Sequence, residues 1–375
     1  NKKIEAKINL DKIVSRHLGI LAMTGMGKSN LVSLITKKIS EVKGTVIIFD
    51  YHNDYTTLNI PNVNVIDAKI NPRLLEADQF SEVLEIRENA DVQQRVLRMS
   101  FTQEVKEAGE FWNKLEYEVA SLVNSEDKKL KEIRTSAYRV QDIIEDAQRR
   151  FDDILDPEIG NPMDYIKEGY TNIINISELS EKQANVAMGF YLQQLLKDRK
   201  NATIAKHGKS KKQKDYKFFE PVFIILEEAH VFIPKDHDTA AKYWAAKIAR
   251  EGRKFGVGLA IVSQRPRSVD LNILSQMGSF AIMKIIQEDD QRQIASATES
   301  TSRELISQLT SLNVGDAVLV GQWTNLPSMV HVEEVKEKKM GADQSATKAW
   351  IKADKMKNVG VESTQGLVEK DLLLD

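Results

Sequence analysis

The chain has 375 residues, 42% of them hydrophobic, and its 53 Lys and Arg against 55 Asp and Glu give a formal net charge of −2. This length fits about two ordinary domains, or one large α/β domain that carries an insertion. The absence of Cys excludes disulfides, thiolate metal sites and Cys nucleophiles, and the balanced charge means that nucleic-acid binding would need a local basic surface.

A strand-helix-strand unit is predicted over residues 17–50. Residues 18–23 are a short apolar run, and apolar residues then recur at helical spacing until Gly44, a plausible helix stop. The following TVIIF, residues 45–49, has the composition of a strand buried on both faces. The stretch AMTGMGKSN, residues 22–30, therefore lies between a strand and a helix.

This stretch matches the phosphate-binding loop G-x-x-x-x-G-K-[ST] of nucleoside triphosphatases, with Ala22 in place of the first glycine. Such a loop directs backbone N–H groups at the phosphates, helped by the positive end of the following helix. The alternative is a chance run of small residues. We predict an ATP site in which Lys28 contacts the β- and γ-phosphates and Ser29 offers its hydroxyl to Mg²⁺. The predicted nucleotide-binding residues are Thr24, Gly25, Met26, Gly27, Lys28, Ser29 and Asn30.

The substitution at Ala22 gives a prediction of its own. A methyl group at this position is tolerable if the backbone φ angle is negative. We therefore expect Ala22 to have a negative φ, with its methyl directed away from the phosphates.

The middle of the chain is predicted to be helical. Strand patterns vanish after residue 72 for about ninety residues, and amphipathic segments such as FWNKLEYEVASLV take their place. We assign residues 73–165 to a helical insertion in an α/β core made of residues 1–72 and 166–335. Residues 336–375 are polar and poorly periodic, which favours an extended C-terminal arm.

A lysine-rich segment, KHGKSKKQKDYK, occupies residues 206–217 and holds six lysines. It is interpreted either as a solvated surface loop or as a nucleic-acid contact, and both alternatives stay open. The core pattern resumes after it with PVFIIL, GVGLAIVS, SFAIMKII and DAVLVG, which are typical of buried strands.

Two carboxylates end the first of these strands, in VFIILEEAH. The carboxyl ends of parallel strands meet at one edge of a sheet, so Glu227 and Glu228 are expected beside the phosphate loop. Glu227 is the candidate for holding Mg²⁺, through water, and Glu228 for orienting and polarising the attacking water. The alternative is a merely solvated pair. His230 follows closely, and for it we favour local packing or a surface hydrogen bond over a chemical role.

Asp50 and Gln264 also follow predicted core strands. Asp50 would assist the attacking water or the metal shell, or else be an ordinary turn-forming Asp. The amide of Gln264 would sense the γ-phosphate or the attacking water, or else belong to a plain loop residue.

Arginines near the end of one helix suggest a contact between subunits. Arg250 and Arg253 are three residues apart in KIAREGRKFG and share a helix face. Such residues often only complement the helix dipole. In ring-forming ATPases, an arginine from the neighbouring subunit stabilises the transition state by a factor of ~10³ to 10⁵ in rate. Arg16, in SRHLG, is a further candidate for this role.

Five motifs in order, SRHLGILAMTGMGKSN, IIFDYHNDY, IILEEAHVFIP, AREGRKFGVGLAIVSQRP and LNVGDAVLVG, resemble the HerA branch of the HerA-FtsK superfamily. The resemblance implies a RecA-like P-loop NTPase core with a mainly parallel sheet, a homohexameric ring and ATP-driven translocation on double-stranded DNA. It also implies DNA end resection in double-strand break repair, with a NurA-type nuclease and the Mre11–Rad50 complex as partners. Separately, no apolar run approaches the ~18 residues of a membrane span, and the absence of Cys favours a reducing interior, so we expect no membrane and a cytoplasmic, nucleoid-associated location.

The matching motifs transfer roles to residues of this chain. Lys28 and Ser29 would bind phosphate and Mg²⁺, and Glu228 would be catalytic with support from Asp50. Arg253 and Arg16 would reach a neighbour's nucleotide. The N-terminal β-barrel of the family has no counterpart here, which we interpret as truncation.

For DNA contact, we predict that Arg265, Arg267 or the loop of residues 206–217 faces the channel, without sequence-specific recognition. Two other functions stay open. The chain could be a secretion or conjugation ATPase of the same superfamily, or a nucleotide-gated scaffold that binds ATP without turnover.

Overall fold

The computed structural model describes residues 4–336 except for residue 88, residues 125–132, residue 153, residues 207–215 and residues 299–301. The lysine-rich loop predicted at residues 206–217 therefore lies mostly outside the described residues, and so does the predicted arm beyond Lys336. The described part is a mixed α/β fold around one sheet. Its strands are β1 Leu18–Leu21, β2 Thr45–Asp50, β3 Val63–Asp67, β4 Thr171–Asn175, β5 Val222–Leu226, β6 Val257–Ser263, β7 Ser279–Ile282, β8 Asp316–Gly321 and β9 Ser328–His331.

The strands are ordered β3-β4-β2-β5-β6-β1-β7-β8-β9. All pairs from β3 to β7 in this order are parallel, and β8 and β9 are added antiparallel. The predicted α/β fold with a mainly parallel central sheet is thus confirmed. Strand β9 has no counterpart in the sequence prediction, because it is short and its residues alternate only between half-buried and exposed.

Helices flank the sheet and connect its strands. Within the described residues they are α1 Leu10–Arg16, α2 Lys28–Glu41, α3 Ala77–Val83, α4 Asp91–Ser100, α5 Gln103–Glu107, α6 Phe111–Val123, α7 Arg134–Arg150, α8 Glu181–Lys206, α9 Ala229–Phe232, α10 Ala240–Glu251, α11 Leu271–Leu274, α12 Glu288–Ala297 and α13 Arg303–Gln308. Helix α8 extends to Lys206, because no Gly or Pro interrupts its C-terminal part.

Alternate residues of β2 pack into two different hydrophobic clusters, as the two-residue repeat of a strand requires. Val46 and Ile48 join the cluster that contains the apolar face of α2. Ile47 and Phe49 join the cluster that contains α8 and α10. Both faces of the sheet are therefore covered, which explains the continuous apolar runs of its strands.

The predicted insertion packs through α3 against α8, on the side of the sheet that α8 covers. Its buried residues on α3 to α7, such as Phe80 and Phe111, belong to the same cluster as Ile47 of β2 and Ile174 of β4. Arg73 fixes the base of this helical segment, because its guanidinium donates to the carbonyls of Pro157, Lys106, Ala108 and Gly109. The division into a core and an insertion stays a prediction, but the two share one apolar core.

The strand order brings the predicted site segments to one edge of the sheet. Strands β2, β5, β6 and β1 are consecutive neighbours and parallel. Their carboxyl ends carry Asp50, the Glu227–Glu228 pair, Gln264 and the phosphate loop. Ligands of open α/β sheets bind outside such carboxyl ends.

Candidate active site

The loop between β1 and α2 has the backbone of an anion cradle. Gly25 and Gly27 have φ angles of 78° and 104°, a region that favours glycine, and Gly27 caps α2. No acidic residue lies in the first turn of α2, so its free N–H groups face no competing carboxylate from that turn. The Gly315 N–H donates to the carbonyl of Met26 at 3.1 Å and supports the loop from the start of β8.

Ala22 accommodates the loop without a glycine. Its backbone φ angle is not positive, which confirms the predicted negative sign. Its side chain is a single methyl that is fully buried and belongs to the same apolar cluster as Ile20 and Val262. The methyl therefore packs into the core.

Lys28 is buried and surrounded by carboxylates. Its Nζ donates to the carbonyls of Ala22 at 3.2 Å and Met23 at 3.5 Å, so the side chain folds back over the loop. Burial lowers the pKa of Lys28, while Glu228, Glu227 and Asp54 oppose that shift. The site thus holds a cation among three acidic side chains.

The neighbours of Lys28 have different environments. The Ser29 hydroxyl donates to Asp54 Oδ2 at 3.1 Å. The side chain of Asn30 instead donates to the carbonyl of Glu333 at 2.9 Å and accepts from the Val335 N–H at 2.8 Å. This amide fastens the segment after β9 to the start of α2, so only the backbone of Asn30 remains for the predicted nucleotide contact.

Asp50 organises the turn that follows β2. It is fully buried, and its two carboxylate oxygens accept from the N–H groups of Asp54 at 2.9 Å and Tyr55 at 2.8 Å. These contacts agree with the interpretation of Asp50 as a turn-forming residue. Through the turn, Asp50 places Asp54 against Ser29.

The buried Tyr55 reaches the first glutamate of the pair. Its hydroxyl donates to Glu227 Oε1. Burial raises the pKa of Glu227 to about 7, assisted by the charge of Glu228 and opposed by the Tyr55 hydrogen bond and by Lys28. Glu227 is thus an internal carboxylate that changes its charge near neutral pH.

Glu228 differs from its neighbour in both backbone and charge. It has φ 46° and ψ 43°, a left-handed conformation that costs a non-glycine residue on the order of 1 kcal/mol. Its Oε2 lies 3.1 Å from His230 Nδ1, and its Oε1 lies 3.6 Å from His52 Nε2. Burial alone would raise the pKa of Glu228, but His230, Lys28 and His52 together lower it. Glu228 is therefore the carboxylate that stays ionised at neutral pH.

We expect Glu227→Gln to change how stability depends on pH. A carboxyl whose pKa is raised in the folded state favours folding below its ordinary pKa, and this contribution is lost as pH rises towards 7. The neutral amide should therefore gain up to about 3 kcal/mol relative to the native residue between about pH 5 and pH 8. Urea unfolding of both proteins at the two pH values measures the difference. An equal difference at both values would contradict the raised pKa.

Gln264 lies between the strand of the glutamates and the strand of the phosphate loop. It follows β6, which pairs with both β5 and β1. The Thr24 hydroxyl donates to Gln264 Oε1, so the amide contacts the phosphate loop directly. This position agrees with the predicted sensing of the γ-phosphate or the attacking water, which stays a prediction.

The predicted intersubunit arginines lie at the opposite edge of the sheet. Arg16 ends α1, two positions before β1 begins, and Arg253 lies four positions before β6 begins. Together with Arg250 they line one cleft of about 410 Å³. The four residues of β1, about 13 Å of extended chain, separate this edge from the phosphate loop. In one chain, these arginines are therefore remote from Lys28 and Glu228.

Four side chains of this site were not assigned to it from the sequence: His52, Asp54, Tyr55 and His230. The first three lie in DYHNDY after β2, where only Asp50 received a role. His230 was assigned to local packing, yet it lies against Glu228. The signal for them was a cluster of polar residues directly after a buried strand.

Similarity to known proteins agrees with this geometry. The family described as helicase HerA, central domain, matches residues 1–195. The DNA double-strand break repair helicase HerA of Sulfolobus acidocaldarius is 38% identical over 93% of this chain and 71% of its own length. The proteins of the same name from Sulfurisphaera tokodaii and Pyrococcus furiosus are 39% and 31% identical, over 93% and 89% of this chain and 71% and 68% of theirs.

Two solved structures share the fold. VirB4 of Thermoanaerobacter pseudethanolicus has a TM-score of 0.60 at 15% identity, with 85% of this chain and 90% of that chain covered. The plasmid coupling protein TrwB in complex with ADP and Mg²⁺ has a TM-score of 0.57 at 12% identity, with 89% and 90% covered. Across the part of the chain that the structure describes, no helix is both long and apolar enough to span a membrane.

Proposed function

Since the chain belongs to the HerA helicase family and is an ATPase of the P-loop type, we propose that it hydrolyses ATP to move along double-stranded DNA during double-strand break repair. One observation supports a motor that works as a ring. The phosphate loop and Glu228 lie at one edge of the sheet, whereas Arg16 and Arg253 lie at the other. A complete site then needs the arginine edge of a second copy, and head-to-tail repetition of such a contact closes a ring.

Within one site, the residues divide the chemistry among them. Lys28 and the N–H groups of the loop would bind the phosphates. Ser29 would hold Mg²⁺, which when bound neutralises charge on the β- and γ-phosphates. Glu228 would accept the proton of the attacking water, and Gln264 would orient that water beside the loop.

The ring in this proposal is a hexamer, as the family resemblance implies. The arginine edge of each subunit would complete its neighbour's site, so hydrolysis would depend on assembly. The NurA-type nuclease and the Mre11–Rad50 complex stay predicted partners.

Hydrolysis assays test the proposal. Purified protein should form rings, and long duplex DNA should stimulate its ATP hydrolysis. Absence of stimulation under conditions where rings form would contradict the DNA motor. No hydrolysis under any condition would favour the nucleotide-gated scaffold.

The secretion or conjugation alternative has less support. The relatives named as repair helicases are 31–39% identical to this chain. VirB4 and the plasmid coupling protein TrwB share the fold at only 15% and 12% identity. We therefore retain DNA as the polymer on which the motor acts.

Arg265 is the described residue that we assign first to DNA contact. It is exposed and directly follows Gln264, whereas the Arg267 guanidinium lies 3.9 Å from Asp289. We expect Arg265→Gln to reduce the log-log salt slope of duplex binding by ~0.9, because one phosphate contact is lost. Binding titrations at several salt concentrations measure the slope. Arg292→Gln is the matched control, because Arg292 is exposed but ion-paired on α12. An unchanged slope for Arg265→Gln would show that Arg265 is a solvated surface residue without a DNA contact.

A further inference from the structure

The hydroxyl that begins the nucleotide site already has a carboxylate partner. Ser29 Oγ donates to Asp54 Oδ2 at 3.1 Å. Ser29 is the second residue of α2, next to Lys28. A serine hydroxyl and a carboxylate side by side are hard oxygen donors, which suit Mg²⁺.

Asp54 is held in place by the turn after β2. Its N–H donates to Asp50 Oδ1 at 2.9 Å, and the next N–H, that of Tyr55, donates to Asp50 Oδ2 at 2.8 Å. Tyr55 itself is fully buried. The carboxylate of Asp54 is therefore attached to a fixed backbone, which a metal-supporting side chain requires.

Glu227, the residue predicted from the sequence to hold Mg²⁺, has contacts that differ from those of Asp54. It accepts from the Tyr55 hydroxyl and is 7% exposed. Asp54 is less buried and touches the Ser29 hydroxyl directly. Of the two carboxylates, the one in contact with the phosphate loop is Asp54.

We propose that Asp54, rather than Glu227, is the carboxylate that supports Mg²⁺ beside Ser29 when nucleotide binds. Mg²⁺ keeps several water molecules and takes few protein ligands in nucleotide sites, so one carboxylate next to the P-loop serine is sufficient. Asp50 then acts through Asp54, as the residue that positions the turn. The inference depends on the ATPase assignment but not on movement along DNA.

Nucleotide affinity with and without Mg²⁺ tests this assignment. A fluorescent ATP analogue is titrated into the full chain, without DNA, in excess Mg²⁺ and in excess chelator. The ratio of the two dissociation constants is the Mg²⁺-dependent tightening. Asp54→Asn should lower this tightening by ~10-fold or more, because a lost metal-supporting carboxylate costs ~10 to 100-fold in metal affinity. Its affinity in chelator should match the wild type, which also reports that the variant is folded.

Four further variants complete the design. Ser29→Ala should lose the tightening as well, and the double variant Ser29→Ala/Asp54→Asn should lose little more than either single change, since both act on one ion. Glu227→Gln should keep the tightening. Asp67→Asn should also keep it, because Asp67 ends the edge strand β3 and accepts from Asn175.

Two outcomes would overturn the inference. The first is that Mg²⁺ tightens nucleotide binding by Asp54→Asn as much as it does for the wild type. The second is a loss in Glu227→Gln that Asp54→Asn does not show, which would return the metal to the glutamate. Since no DNA is present, neither outcome bears on the motor, and a failure of DNA stimulation would leave this result unchanged.

Discussion

Replacing Glu228 by Gln is expected to slow ATP hydrolysis by ~10²- to 10⁴-fold, because the amide cannot accept a proton from the attacking water. The carboxylate is the one that stays ionised at neutral pH, since His230, Lys28 and His52 outweigh the effect of burial on its pKa. Nucleotide binding should persist, because the phosphate loop and Lys28 are unchanged. Turnover and nucleotide affinity measured on the same preparation separate the two effects.

Glu227→Gln is the comparison for this change. A pKa raised to about 7 would by itself suit a base, but Glu227 Oε1 already accepts from the hydroxyl of the buried Tyr55, so Glu227 is the weaker candidate. The expected order is a larger loss of turnover in Glu228→Gln than in Glu227→Gln. Unchanged turnover in Glu228→Gln would move the catalytic assignment to Glu227.

Replacing Arg253 by Ala is expected to reduce hydrolysis by ~10³- to 10⁵-fold, the range for an arginine that stabilises transferring phosphate. The reason is structural, because Arg253 and Arg16 line a cleft at the sheet edge opposite Glu228. In the proposed ring, this arginine would act on a neighbour's nucleotide. Lys254→Ala is the matched control, since Lys254 is exposed beside Arg253 but does not line the cleft, and its turnover should stay at the wild-type level.

Mixing two inactive proteins distinguishes action between subunits from action within one. Arg253→Ala subunits keep a complete phosphate site, and Glu228→Gln subunits keep the arginine. In rings of randomly mixed subunits in equal amounts, about one interface in four joins the two intact halves, so part of the hydrolysis should return. No recovery in rings that demonstrably contain both subunits would show that Arg253 does not act across the interface.

Much of the fold and of the site could be predicted from local sequence. The periods of apolar residues indicate the strands and helices, because each pattern is contained within a few adjacent residues. The phosphate loop is specified in the same local way by the spacing of Gly25, Gly27, Lys28 and Ser29. The pair Glu227 and Glu228 was found for the same reason. Strand β9 was not predicted, because its short, half-exposed pattern resembles that of a loop.

Only the tertiary structure decided how these pieces meet. Asp54 contacts Ser29 across 25 positions of sequence, and Tyr55 contacts Glu227 across 172, so no local pattern could pair them. The parallel order β2-β5-β6-β1 brings these residues to one edge, and the same order sends Arg253 to the other. The sequence by itself determined which groups the protein carries. The direction in which each strand crosses the sheet decided which of them share a site and which lie at the opposite edge.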